Sequence, residues 1–480
     1  MSEPEPPTFS IATFFRSAAL RASQSAVAWS LFATVFRLLS GVLVLSLVVR
    51  KLPSDHLGLW YVFLTLQGIG NLFDLGFTPA ITRAAGYLWA GARELKGFGI
   101  AAPVQEDQSE SIEPNFPLLS RLMVTMRHYY RFFGVAFGLL MLLGGGTWIW
   151  IKTQGMPDAT ELRLCYALFA FGGFLNATGD LWPALLSGIN AVKIAQKIIF
   201  GSAVLSFVVT FLGLLGNLGI WALVLGTVSS GAFIRWSGRS FFRKLTDSRL
   251  ELNVSPQVDI LAKLWPVAWR TGLMYVGGFL VVSANTLICS ALLNLKVTAS
   301  YGLSLSLIGM LTHTSAIFTN IKIPLVNHLR ASARTNEIAE LWIQRTRLSI
   351  ALYLTGAFVL LLFGNYMLQL IGSRTLLLAP AQLALALLVL GLEMHHVLYA
   401  NLIISENQNP FVVPALLSGT ATVLLSLLLT PHFGVWGMLI GQGFAQACFN
   451  NWWIIYRALR GLGLSWSDYW RRYFRTPIRI

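Results

Sequence analysis

Arg37, Asp74, Arg83, Asp180, Arg270, Asn285, His313, Lys322 and Glu393 stand inside stretches that are otherwise apolar. Ionisable groups at membrane depth are costly and mark substrate paths or ion relays by default. The chemistry these groups offer is recognition of charge. A guanidinium presents paired donors that suit phosphate and carboxylate. Arg37 lies about eleven residues into the first apolar run, so roughly 16 Å deep on a straight helix. That is too central for its charge to reach the interface by snorkelling, so it should face the protein interior. Arg83, Arg270 and Lys322 have a simpler alternative role, anchoring helix ends by snorkelling. Together, Arg37, Arg83, Arg270 and Lys322 against Asp74, Asp180 and Glu393 fit the inner half of a cavity for an anionic substrate. The diphosphate of a lipid carrier, or an acidic sugar, is such a substrate. His395 and His396 point about 100° apart on a helix and do not readily share a metal. Neither a metal nor any other cofactor is expected, although one of these histidines could take part in proton coupling.

The elements that must position these groups are membrane helices. The 480 residues are 55% hydrophobic and 11% charged, with mean hydropathy +0.65, whereas a soluble domain averages about 25% charged. At roughly 20 residues per crossing, the apolar runs number about twelve. The net charge of +15 would suggest nucleic acid in a soluble protein. Here it reads as topology, because Lys and Arg gather in cytoplasmic loops. They fall in the loops after runs two, four, six and eight and in the tail. The opposite side holds only Arg50, Lys51, Lys152, Arg163, Lys296 and Arg374. Both termini are therefore expected in the cytoplasm of a multi-pass inner-membrane protein, without nucleic acid as a partner. The polar start MSEPEPPTFS lacks the features of a removable signal, so the first apolar run should direct insertion. Cys165, Cys289 and Cys448 have no metal-ligand spacing and imply no disulfide framework.

The chain reads as a duplication. LGIWALVLG from Leu218 matches FGVWGMLIG from Phe433, with Gly219, Trp221 and Gly226 falling on Gly434, Trp436 and Gly441 at one offset. LGLW after the first run has a counterpart in YGLS after the seventh. Six runs per half put both halves the same way through the bilayer, related by an axis along its normal. The expected fold is all-α, with about twelve transmembrane helices in two six-helix bundles around a central cavity. Residues 1–236 form the first bundle, with a cytoplasmic loop at 91–131. Residues 237–263 form a cytoplasmic linker, 264–456 the second bundle and 457–480 a basic cytoplasmic tail. Rocking of one bundle against the other would give alternating access.

Leu57–Arg83 is the most informative stretch: LGLWYVFLTLQGIGNLFDLGFTPAITR. Its glycines and Pro79 loosen a crossing helix. Asp74 and Arg83 lie nine residues apart, so they cannot pair unless the helix bends, and Pro79 is the expected bend. The pattern of Gly58, Trp60, Asp74, Leu75, Gly76, Phe77, Pro79 and Arg83 resembles the start of bacterial polysaccharide exporters and O-antigen (Wzx-type) flippases. These belong to the multidrug/oligosaccharidyl-lipid/polysaccharide exporter superfamily. The resemblance implies a flippase, not an enzyme, carrying undecaprenyl-diphosphate-linked oligosaccharide to the outer leaflet for polysaccharide or O-antigen synthesis. Charged residues of a central cavity, Arg37 among them, would meet the lipid-linked oligosaccharide. The energy source is left open by the sequence: protonation of Asp74, Glu393 or a histidine could couple transport to the proton gradient, with sodium the other candidate ion. The acidic loop at 91–117 is longer than is usual in that family. One alternative is a cation-coupled multidrug exporter of the same superfamily, although that would favour an acidic, aromatic cavity. Another is an integral-membrane polysaccharide polymerase or ligase, but every outer loop is short and none carries a catalytic constellation.

Overall fold

The computed structural model describes residues 26–95, 113–246, 249–251, 254–406 and 410–475. The acidic positions Glu106, Asp107 and Glu110 of the 91–117 loop lie outside them. Within the described residues the chain is helical without strands, and it makes twelve helical passes. Pass one is α1 (Ala26–Lys51). Pass two is α2 (Ser54–Gly68), α3 (Gly70–Phe73) and α4 (Phe77–Trp89). Pass three is α5 (Phe116–Leu140), a π-helical turn (Met141–Gly145) and α6 (Gly146–Lys152). Pass four is α7 (Ala159–Gly179) and α8 (Leu181–Gly188), pass five α9 (Val192–Leu215), pass six α10 (Ile220–Leu245). Pass seven is α11 (Val258–Val282) and α12 (Ala284–Leu292). Pass eight is α13 (Leu295–Ser315), α14 (Ile317–Asn320) and α15 (Ile323–Ala331). Passes nine to eleven are α16 (Thr335–Leu370), α17 (Pro380–Ile404) and α18 (Val412–Phe433). Pass twelve is α19 (Val435–Cys448) and α20 (Asn450–Gly461), and α21 (Trp466–Arg475) follows it. Among the described residues, seven helices are long and apolar enough to cross a membrane. Pass two is instead interrupted, and pass six carries Arg235, Arg239, Arg243 and Lys244 near its end. Phe132, Leu143, Leu212 and Leu428 are among many large apolar side chains left exposed, as lipid-facing helices require. The protein is a multi-pass membrane protein.

Contacts group the chain into two compact units. The first contains the chain up to Leu45 together with Gly76–Trp269. The second contains Ser46–Leu75 and the chain from Arg270 onward. By sequence order 46–75 falls in the first bundle, yet its contacts lie in the second unit, for visible reasons. The Val49 carbonyl accepts the Arg374 N–H at 2.8 Å, and the Ser54 hydroxyl donates to the Arg374 carbonyl at 2.8 Å. Gly58 lies against the Leu295 backbone, and Gly302 against the Tyr61 ring. Two small residues thus let α2 and α13 approach closely, as crossing helices in membranes commonly do.

Within the first unit, Asn115 starts α5. Its Oδ1 accepts the Leu118 N–H at 3.1 Å, and its Nδ2 donates to the Ala92 carbonyl at 3.0 Å. The Asn115 N–H also donates to the Leu88 carbonyl at 2.9 Å, so Asn115 ties the start of α5 to the end of α4. Residues 121–131, expected within the cytoplasmic loop, are the early part of α5 itself. After α10 the chain returns to the same helix: the Glu251 and Gln257 N–H groups donate to the hydroxyls of Ser120 and Thr125, at 3.0 and 2.9 Å.

Within the second unit, a cluster of Val326, Leu329, Ile338, Trp342, Tyr399, Leu402, Ile454, Ala458 and Tyr469 joins passes eight, nine, ten and twelve to α21. Arg330 closes one side, with Nη1 2.9 Å from Glu406 Oε1. The α21 start is a capping box: the Ser465 hydroxyl accepts the Asp468 N–H and donates to the Asp468 carboxylate, at 3.1 and 2.6 Å. Pass ten begins at Pro380 and has 25 residues. Proline is favoured in that first turn.

The two halves share a backbone signature. Gly219 starts α10 at φ 57°, ψ −132°, and Gly434 starts α19 at φ 57°, ψ −134°. This region of backbone space is open essentially to glycine alone. One helical turn or two later, Gly226 abuts Ser206 and Thr210 of α9, and Gly441 abuts Leu425 and Ser426 of α18. Each glycine lets the fifth and sixth passes of its half lie close.

Candidate functional site

The candidate residues divide between the units. Asp74, Arg270, Asn285, His313, Lys322 and Glu393 belong to the second unit, and Arg37, Arg83 and Asp180 to the first.

Pass two does not bend at Pro79. The helix ends at Phe73, and Leu75 and Gly76 take positive φ values of 47° and 73°. Pro79 stands in the first turn of α4, where its missing N–H has no helical acceptor to lose. The break leaves half-buried Asp74 at a helix end. There the Leu75 backbone meets Gly272 of α11. Arg270 lies two residues before Gly272 and is exposed. Tyr275, three residues after Gly272, is an electrostatic neighbour of Asp74. Asp74 and Arg270 both have further partners. A carboxylate and a phenol therefore stand at one backbone crossing.

Glu393 is the most enclosed carboxylate of the set. Its Oε1 lies 3.4 Å from His396 Nε2, while its Oε2 is buried with no described partner. His396 Nδ1 is 3.1 Å from Asn451 Oδ1. His395 turns away and packs edge-on against Tyr399, 5.2 Å between ring centroids. The two histidines diverge, and no group of three metal-ligating side chains occurs among the described residues. Asn285 is fully buried and donates to Gln442 Oε1 at 3.2 Å. One turn on, Asn450 donates to Gln446 Oε1 at 3.1 Å. These amides form an internal polar seam in passes seven and twelve. Gln442, Gln446 and Asn450 escaped the sequence reading, although glutamines and an asparagine in GQGFAQACFNN are a legible signal in an apolar run. His313 is exposed on α13, and Lys322 is half-buried between α14 and α15.

In the first unit, Arg37 is exposed on α1. Neighbouring Phe36 sets the helix rotation by packing edge-on against Phe200 and Phe207 of α9, at 5.4 and 5.6 Å. Among the described residues the Arg37 guanidinium pairs with no carboxylate. Arg83 is exposed on α4. Beside it, the Thr82 hydroxyl donates to the Ala184 carbonyl of α8 at 3.2 Å. Gly188 fits against Ala85 and the Thr82 carbonyl. Asp180, exposed at the α7–α8 junction, stands one turn before Ala184. Arg83 and Asp180 thus ride on one packed helix pair.

No protein-family model and no curated protein matches the chain. Solved structures do. The chain is similar to a multidrug-resistance MATE family transporter of the MOP superfamily in an inward-facing conformation. That match has TM-score 0.62 and 16% identity, covering 90% of this chain and 95% of the other. It is similar to the lipid II flippase MurJ in an inward closed conformation, with TM-score 0.58 and 10% identity over 93% and 90%. It is also similar to the MATE multidrug transporter DinF-BH, with TM-score 0.56 and 14% identity over 97% and 100%. The fold is that of MOP superfamily transporters.

Proposed function

We propose that the chain is a flippase for a diphosphate-linked oligosaccharide lipid, working by alternating access in the inner membrane with both termini cytoplasmic. The observation that carries this reading is Arg37. It is an exposed guanidinium within the 26-residue apolar helix α1, without a carboxylate partner among the described residues. Such a charge is tolerated where it meets an anionic substrate or a hydrated path. Arg83 and Arg270 add exposed guanidiniums in both units. Their forked donors match the oxygens of a diphosphate. The fold likeness to a lipid II flippase is consistent with a lipid-borne substrate.

Movement between the units would be absorbed where the chain passes from one to the other: Leu45–Ser46, Leu75–Gly76 and Trp269–Arg270. Two of these points are softened. Leu75 and Gly76 interrupt pass two, and Pro266 lies inside α11 just before Trp269. A proline within a helix removes one backbone hydrogen bond and favours bending.

The second reading is a cation-coupled multidrug exporter. It is favoured by Glu393, whose buried Oε2 has no described partner and which a proton or sodium ion could neutralise. Reconstitution separates the two. Proteoliposomes receive a fluorescent diphosphate-linked oligosaccharide lipid, and its exposure to a membrane-impermeant quencher is followed. Translocation of this lipid, with no uptake of organic cations, supports the flippase. Cation-driven transport of a dye without lipid translocation establishes the exporter instead.

A further inference from the structure

A cluster of arginines outside the candidate transport residues points to a second binding function. Arg127 and Arg131 lie one turn apart on α5. Arg235, Arg239 and Arg243 form a stripe at successive turns of α10. The two stripes converge because α7 fits between their helices. Gly134 of α5 lies against Thr178, where a Cβ would come 2.5 Å from the Thr178 methyl. From the other side, Arg235 Nη1 donates to Thr178 Oγ1 at 2.5 Å, and its guanidinium lies 5.7 Å from the Phe174 ring centre. Next along α10, Gly238 is seated on Trp182. Arg127 consequently feels the charges of Arg131, Arg235, Arg239 and Arg243, and Arg235 those of Arg131 and Arg239.

Like charges brought this close repel, and the repulsion is stronger where water is partly excluded. Among the described residues none of the five pairs with a carboxylate. Asp180, two residues beyond Thr178, is exposed. Setting membrane orientation needs positive charge in a loop, not a converging array held by a threonine and an aromatic face. An array of guanidiniums suits several phosphate oxygens at once. Basic pockets between membrane helices at the cytoplasmic side bind multiply charged lipid headgroups. Exposed aromatic rings alternate with the arginines: Phe132 follows Arg131 and Trp236 follows Arg235, at 70% and 71% exposure. Such rings suit acyl chains and the headgroup boundary. We propose that Arg127, Arg131, Arg235, Arg239 and Arg243 form a site for a multiply charged phosphate headgroup, offered by an anionic phospholipid of the adjoining leaflet. The site is independent of what the protein transports.

The test uses the purified full chain in a neutral detergent, titrated with cardiolipin, phosphatidylglycerol, phosphatidylcholine or sodium pyrophosphate and read by native mass spectrometry. The expected result is retention of cardiolipin over phosphatidylcholine, with affinity falling about tenfold or more in the Arg131→Gln/Arg239→Gln pair. An Arg460→Gln/Arg475→Gln control removes the same charge elsewhere and should leave binding unchanged. The Arg131→Lys/Arg239→Lys pair keeps charge without the fork, should bind at an intermediate level, and serves if the Gln pair does not fold. Pyrophosphate that binds with the same arginine dependence, while cardiolipin does not, assigns the phosphate to a soluble source and overturns the lipid assignment. Equal loss in the control pair, or equal binding of phosphatidylcholine, overturns the site.

Discussion

Gly272 and Leu75 meet backbone to backbone: a Cβ on Gly272 would lie 2.8 Å from the Leu75 Cα. Leu75 is itself held at φ 47°, so it has little room to yield. This crossing fixes α11 against the broken second pass. It also holds Asp74 within electrostatic reach of Tyr275. Gly272→Ala should therefore lower stability by about 1–3 kcal/mol through overpacking. Gly278, one to two turns further along α11, has open space around it, and Gly278→Ala should be neutral or slightly stabilising. Thermal unfolding of the two variants in detergent makes the comparison. Equal melting temperatures would remove the contact from any structural role.

Arg37 is the sharpest test of the transport reading. Arg37→Ala should abolish lipid translocation in proteoliposomes while the protein still inserts and purifies. Arg37→Lys should restore part of the rate, because charge remains and the planar fork does not. Unchanged translocation in the Ala variant would take Arg37 out of the substrate path.

Gly219 and Gly434 share one backbone conformation in the two halves. Gly219→Ala and Gly434→Ala should each cost about 1–3 kcal/mol, since the strain is the same. Melting curves should shift by similar amounts. A large shift in one and none in the other would mean that the matched angles hide different local structures.

The α21 capping box gives a pH prediction. The Ser465 hydroxyl, helped by the Ser465 N–H, holds the Asp468 carboxyl below the usual aspartate range. A depressed folded-state pKa contributes stability above the unfolded value, and that contribution is lost as pH falls through the folded value. Docking of α21 should accordingly be unaffected near neutrality and weaken only at acidic pH, below the ordinary aspartate range. Hydrogen exchange of 466–475 reads this directly. Ser465→Ala should raise exchange at neutral pH and flatten its acid dependence. Exchange in that variant identical to the parent's would show that the tertiary contacts of Tyr469, not the cap, hold the helix.

Glu393 offers the test of coupling. Glu393→Gln keeps the shape and removes the exchangeable charge beside His396. If a proton or sodium ion drives transport through this carboxylate, the variant should lose the response to an imposed gradient but keep passive exchange of substrate between leaflets. A full gradient response in the variant would place coupling elsewhere.

Several of these features were legible in the chain itself. Apolar runs of membrane length give the twelve passes, because a bilayer demands a helix wherever the backbone crosses it. The match of Gly219 to Gly434 came from spacing alone, and the shared backbone angles supply its physical basis. The polar groups inside apolar runs, Arg37 and Glu393 among them, stood out by type. Their partners did not. His396 beside Glu393 is one turn away and could be foreseen, but Gln442 opposite Asn285 is 157 positions distant.

What only the tertiary structure decided concerns bends, groupings and convergence. Pro79 looked like the bend of pass two, yet the chain breaks at Leu75 and Gly76. Proline is well tolerated in a first helical turn, while a left-handed residue ends a helix outright. Residues 46–75 join the unit of the chain beyond Arg270, through contacts such as Gly58 with Leu295 and Tyr61 with Gly302, distant in sequence. Of the five arginines of α5 and α10, Arg127 and Arg131 read as part of a loop, Arg235 as the end of the first bundle and Arg239 and Arg243 as part of a linker, since a helix stripe shows its own face and not the face it meets. The sequence by itself determines which segments are helices and which side chains are out of place in lipid, because both follow from local composition and the solvent. Which of those side chains stand together is set by helix packing, where Gly134, Thr178 and Gly272 decide the distance and the rotation.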